Sequence, residues 1–414
     1  MAKNKGLEML NYQTNSFEML NYQISSKEEK VIIPEGIVNV EKGQIMKKAI
    51  VVKDGLIKAV IGKDEAAKYK STQIVNMTGL TILPGFIDGH VHLALDGYDF
   101  DSSIRRWEKP LLMKNYLLNT LDKIVSSGII AIRDGGDKNC LALKAKELSL
   151  KKGPLIRATG AALRKDGYYG TFLGDGIKDV LEIEKRIINL KKRGADHVKV
   201  ILSGIVSFSE YGKVGKVQFS FSELNTIVKI SRQLGLKIMA HASSDEAALL
   251  AAEAGVDSIE HGYFIGDRTL ELMAQKSIFW VPTVVPVYNQ TVEPWKKSFL
   301  PSQLALIEKT YLSHLERIKK AVTLGVKVVI GTDAGATAVP HGDSYYFEMR
   351  LLKKAGLSNL QILQAATING AKLLGLEEML GSIEEGKLAF FVAVRGNPLE
   401  DLDTLKNITT ISCL

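Results

Sequence analysis

Cysteine is nearly absent. The 414-residue chain has two, Cys140 and Cys413, which excludes a disulfide framework and a thiolate zinc ribbon. No apolar run reaches membrane-spanning length, and the N-terminus lacks the apolar core of a secretory signal. A glycine-rich phosphate-binding turn after an early strand is also missing, which argues against a doubly wound nucleotide-binding sheet. The net charge of +8 is spread over helix-like stretches such as Lys185-Arg186 and Lys319-Lys320. That spread indicates a solvated basic surface and no nucleic-acid footprint. The expected protein is therefore soluble and cytoplasmic, has no nucleic-acid or membrane partner, and acts on a small molecule; a homo-oligomer is expected.

With 46% hydrophobic residues the chain can bury a large core, and its texture changes along its length. Residues 1–30 are polar, and Glu8–Gln13 recurs letter for letter as Glu18–Gln23; two copies are too few for a solenoid, and a flexible extension is expected. From Val31 short alternating strands follow, with Asp54-Gly55 as a two-residue hairpin signal. Similar strand texture returns at Leu388–Val394. Strands from both chain ends can pair into one small β domain, residues 31–80 with 375–414. Between them, over 81–374, apolar strand candidates begin near Ile82, Ile129, Leu155, His197, Lys237, Ser258, Phe279 and Val326. Helical stretches intervene, among them 183–192, 222–234, 245–254 and 302–324, with Ser222-Glu223 as a helix start and Gly235 as its stop. Eight buried strands each followed by a helix predict a (β/α)8 TIM barrel with a small β-sandwich domain built from both chain ends.

In such a barrel, chemistry sits at the C-terminal ends of the strands. His90 and His92 close the first strand in Pro84-Gly85-Phe86-Ile87-Asp88-Gly89-His90-Val91-His92, and period-2 alternation points both to one face. Lys199 lies on the fourth strand, His241 ends the fifth, His261 the sixth and Asp333 the eighth. Four of seven histidines thus stand at independently inferred strand ends, where they could share metal ions. Of the others, His197 lies deeper on the fourth strand and is expected in the core. His314 is expected to be exposed in mid-helix. His341, in Val339-Pro340-His341-Gly342, is expected near the mouth.

Those segments, with His197-Val198-Lys199, Ala240-His241-Ala242, Ile259-Glu260-His261-Gly262, Gly331-Thr332-Asp333-Ala334-Gly335 and Ala366–Ala371, resemble the amidohydrolase superfamily. The likeness is to its branch of imidazolonepropionase-like proteins and metal-dependent Xaa-Pro or Xaa-Arg dipeptidases. It covers about residues 31 to 405. The resemblance implies two divalent metal ions, with zinc best suited to nitrogen and oxygen donors without thiolates. His90, His92 and Asp333 would bind the more buried ion, His241 and His261 the more exposed one. Lys199 would bridge both as a carbamate formed with carbon dioxide. It further implies hydrolysis of an amide or other C–N bond by a metal-bridging hydroxide, with Asp333 as the catalytic proton carrier. A dipeptide or N-acyl amino acid is the expected substrate. The alternatives are a cyclic amide, as for imidazolonepropionase, or deaminase or dehalogenase chemistry on one metal; members of that mononuclear branch normally lack the strand-four lysine. After the third strand, where dipeptidase-like members carry a Gly-Gly-His turn, this chain has Arg164–Gly170. Arg164, Tyr168, Tyr169 and His341 are therefore the expected substrate contacts, Arg164 gripping a carboxylate and the tyrosines supplying apolar faces.

Overall fold

The computed structural model describes residues 29–69, 73–150 and 153–413, so the duplicated N-terminal segment lies outside the described residues. The β-branched stretch Lys30–Asn39 pairs antiparallel with Lys48–Lys53 and parallel with Gln73–Pro84. At the expected hairpin, Asp54 and Gly55 take φ of 52° and 65°, the left-handed pair that a tight turn between twisted strands requires. From the other end of the chain, Phe390–Arg395 pairs antiparallel with Gln73–Pro84, and Ile408–Cys413 adds to its far side. Strands from both chain ends thus form one seven-stranded sheet, which buries Ile32, Ile50, Ile82 and Phe391 together.

The strand expected to begin near Ile82 is two strands. Gln73–Pro84 belongs to the small sheet and Phe86–Val91 to the barrel, so residue 80 falls inside a strand. Gly85 makes the break, where a Cβ would lie 2.5 Å from Ile130. Only a residue without a side chain lets the two layers approach this closely.

Parallel pairing then runs around the barrel. Phe86–Val91, Ile129–Asp134 and Leu155–Ala158 form one arc, and His197–Ile201, Lys237–Ala242, Ser258–His261 and Phe279–Val281 the other. Leu163 joins the arcs on one side, donating to Lys199 O and accepting from Ile201 N at 2.8 and 2.9 Å. On the other side the expected eighth strand is an extended segment with isolated bridges at Val328 and Ala334. It closes the ring through Val329 N to Trp280 O at 2.9 Å, and Gly89 N to Ile330 O and His92 N to Ala334 O, both at 2.7 Å. The first, second and fourth strands are buried at every position, as expected for parallel strands covered by helices. This is the (β/α)8 barrel.

The helices follow from local signals. Phe221–Gln233 starts on a capping box in which Ser220, and not Ser222, pairs with Glu223; the box needs its acid three residues after the cap. Asp245–Ala254 is capped by Ser244 and ends at Gly255 in the left-handed region. Its Ala247, Ala248, Ala251 and Ala252 let it lie close on the barrel. The helix Pro301–Thr323 corrects one expectation. His314 is 1% exposed, because it falls on the buried stripe Ile307, Thr310, Tyr311, Leu315, Ile318, the i, i+3, i+4 spacing of a core-facing edge. Its Nε2 donates to Pro282 O at 2.9 Å. Among the described residues no helix is long and apolar enough to cross a membrane.

Candidate active site

The strand ends bring the expected residues together. One ligand atom each from His90, His92 and Asp333 lies within 4.8 Å of the others. The two Nε2 atoms are 3.4 Å apart, and each is 3.4 Å from Asp333 Oδ1. Lys199 Nζ stands 3.3 Å from His90 Nε2. The His261 ring centroid is 5.1 Å from that of His90 and 4.5 Å from that of His241. Two of these residues sit on kinks where strands end: His261 has φ of 66° and Asp333 of 57°. Non-glycine residues rarely adopt such values and tend to do so at functional sites. The kink at His261 matters because Glu260 and His261 are consecutive, and alternation alone would send them to opposite faces. Packing holds that kink. The Trp280 indole donates to His261 O at 3.0 Å, and truncating so buried an aromatic residue typically costs about 3–5 kcal/mol.

The donor set fits metal ions, and the hydrogen bonds say why. His92 Nδ1 donates to Gly136 O at 3.0 Å, and His90 Nδ1 faces Glu260 Oε2 at 2.9 Å. Both rings therefore turn the lone pair of Nε2 toward the other and toward a carboxylate oxygen, an arrangement of acceptors that a cation reconciles. His261 Nδ1 pairs with Thr283 Oγ1 at 2.8 Å, leaving Nε2 free. His241 Nε2 faces Gly204 O at 3.4 Å, leaving Nδ1. Burial holds the four imidazoles well below their ordinary range, His92 and His241 down to about 3, so all are neutral and able to bind metal. Burial likewise draws the Lys199 ammonium down to about 8 and pushes the Asp333 carboxyl up to about 7, the latter opposed by Lys199.

The expected substrate contacts fall in different places. Tyr169 lies at the site, its ring 5.9 Å from that of His241, and burial raises its phenol well above the ordinary range. Tyr168 is 39% exposed. His341 is buried, with Nε2 donating to Leu95 O at 2.9 Å. Arg164 is buried under its own loop, with Nε on Gly174 O at 2.7 Å and Nη1 on Lys165 O and Tyr168 O at 3.0 Å. In place of the expected carboxylate grip, these bonds brace the turn that carries Tyr169. Arg164→Ala is thus expected to lower Tm and to raise KM equally for a carboxylate substrate and its amidated analogue. An effect confined to the acid, in parallel steady-state kinetics, would restore the grip. His197 is a core residue as expected, 3% exposed, with Nε2 on Asp134 O at 3.1 Å.

Sequence reasoning assigned no role to the layer beneath. Glu260, Arg133 and Ser258 are fully or almost fully buried, and Arg133 Nη2 pairs with Glu260 Oε1 at 2.8 Å. An arginine inside the apolar run Ile129–Asp134 was the available signal, since a charge in a buried strand requires a partner. Gly135 was also missed; a Cβ there would lie 2.6 Å from His92 Cε1.

Comparison with known proteins places these features in context. Residues 81–413 match the family described as the amidohydrolase family. An ochratoxinase of Aspergillus niger is 27% identical over 415 aligned residues, covering 91% of this chain and 84% of that protein. An imidazolonepropionase of Treponema denticola is 27% identical over 377 residues, covering 83% and 84%. The crystal structure of a Xaa-Pro dipeptidase with bound methionine in its active site superposes with a TM-score of 0.77 at 24% identity, covering 93% of this chain and 98% of that one.

Proposed function

The chain belongs to the amidohydrolase family, and from that premise we propose that it hydrolyses the amide bond of an N-acyl amino acid or dipeptide bearing a bulky apolar group. That it is a hydrolase of carbon–nitrogen bonds follows from the family and from relatives named as such enzymes. The bulky group is supported by a succession of aromatic rings that leads from solvent to the site. Phe100, 42% exposed, meets Phe172 edge-on at 5.1 Å, Phe172 meets Tyr169 at 6.0 Å, and Tyr169 stands against His241. Such edges and faces recognise flat apolar surface.

His90, His92 and Asp333 would hold one divalent ion and His241 and His261 a second, with Lys199 as a carbamate between them. Ions so held supply a water of lowered pKa and a Lewis acid for the carbonyl. Asp333 accepts the proton of the attacking water on its carboxylate and returns it to the departing amine nitrogen. Tyr169, kept protonated by burial, lines the approach with a hydrogen-bond donor.

The test is a screen of N-acyl aromatic amino acids, dipeptides and cyclic amides with metal-loaded protein, alongside elemental analysis. About two equivalents of metal per chain are expected, as in two-metal hydrolytic sites, with turnover of acyl amino acids carrying an aromatic group. Turnover of cyclic amides alone would move the protein to the imidazolonepropionase-like reading. Activity with less than one equivalent would end the two-ion reading.

A further inference from the structure

The floor of the site carries a buried ionic network whose carboxylate meets the proposed ligand His90. Glu260 is 0% exposed, and its Oε2 lies 2.9 Å from His90 Nδ1. Its other oxygen accepts from Arg133 Nη2 at 2.8 Å and Ser258 Oγ at 2.5 Å. The guanidinium is fixed in turn, with Nη1 on Ser258 Oγ at 2.9 Å and Nε on Gly89 O at 2.8 Å. One arginine thus ties down both the carboxylate behind His90 and the backbone residue before it.

We propose that Glu260, held by Arg133 and Ser258, is a positioning residue that locks His90 into its Nδ1–H tautomer. The reason lies in a competition for one proton. On its far side, His90 Nε2 faces Lys199 Nζ at 3.3 Å and two acceptors, Asp333 Oδ1 and His92 Nε2, each at 3.4 Å. Left alone, the two acceptors draw the ring proton to Nε2 once Lys199, as the proposed carbamate, no longer donates there, and remove the lone pair that a metal needs. Glu260 opposes them from 2.9 Å, and an ionised carboxylate only accepts. The shorter, charge-assisted bond in a dry interior wins. Arg133 and Ser258 hold that carboxylate by its other oxygen and keep it from rotating. The ligand state of His90 is therefore set from behind, before any ion arrives. Such supporting contacts typically govern metal affinity by about 10–100-fold.

The consequence for metal affinity rests on the proposed metal site; the tautomer does not. Metal-free wild type labelled with [15N]histidine is examined by long-range 1H–15N correlation, with His90 assigned by its loss in His90→Asn. The Nδ1–H form is expected, and finding Nε2–H in wild type overturns the proposal without any variant of the network. Two variants extend the test: Glu260→Gln, and Arg133→Met combined with Glu260→Gln, which leaves no unpaired buried charge. In both, His90 should shift to Nε2–H, and zinc affinity by chelator competition should fall about 10–100-fold. Wild-type affinity or an unchanged tautomer in the folded double variant overturns the proposal. Wild type that holds the Nδ1–H form yet binds no zinc supports the lock and overturns the metal site.

Discussion

Asp333→Asn is expected to lower kcat by about two orders of magnitude or more while leaving the fold intact. The replacement is nearly isosteric. Asparagine is among the few residues that tolerate the left-handed backbone, so the φ of 57° at this position adds no new strain. The hydrogen bond from the Asp333 amide to His90 O at 2.8 Å also survives. What disappears is the charge and basicity of the carboxylate whose Oδ1 lies 3.4 Å from both His90 Nε2 and His92 Nε2. An amide cannot take the proton of the attacking water or hand it to the leaving nitrogen. Circular dichroism and metal content separate loss of the base from loss of the site. An unchanged kcat at equal metal content would show that another group carries the proton.

Lys199→Ala should match that loss, an activity drop of about 100-fold or more at the upper end of what even supporting residues around metals cost, and add loss of the bound metal. Lys199 is 1% exposed and ends 3.3 Å from His90 Nε2. An ammonium has three donors and no acceptor, so in that form it opposes a cation. As a carbamate it would offer two oxygens to two ions. Alanine removes both forms and leaves space where formate or propionate can stand in for the lost carboxylate. Partial recovery of metal and turnover on adding such an acid is the expected signature. Full activity of Lys199→Ala without any additive would place the chemistry on a single ion, the mononuclear alternative.

Much of this site was legible because parallel strands translate sequence into position simply. Side chains repeat every two residues, strands end where apolar runs end, and barrel chemistry gathers at one rim. That is why His90, His92, Lys199, His241, His261 and Asp333 could be named from spacing and motif. The same reasoning misjudged His314 for lack of a three-dimensional partner. A histidine on a long helix looks solvated until its buried neighbours Tyr311, Leu315 and Ile318 show which edge faces inward.

Arg164 marks the limit. Guanidinium chemistry suits a substrate carboxylate and a set of backbone carbonyls equally well. Only the folded loop reveals that Gly174, Lys165 and Tyr168 already occupy it. Glu260 shows the same limit from the other side. Alternation would place it away from His261. The left-handed turn at His261 lets one residue serve the barrel interior while the next serves the rim. The amino-acid sequence determined the barrel, its strand ends and the kinds of group they carry, because these depend on local periodicity. The tertiary structure decided which groups meet, which hydrogen bonds are already taken and which ring nitrogen faces the site. Those depend on partners such as Arg133 and Glu260, 127 positions apart, that no local pattern can pair.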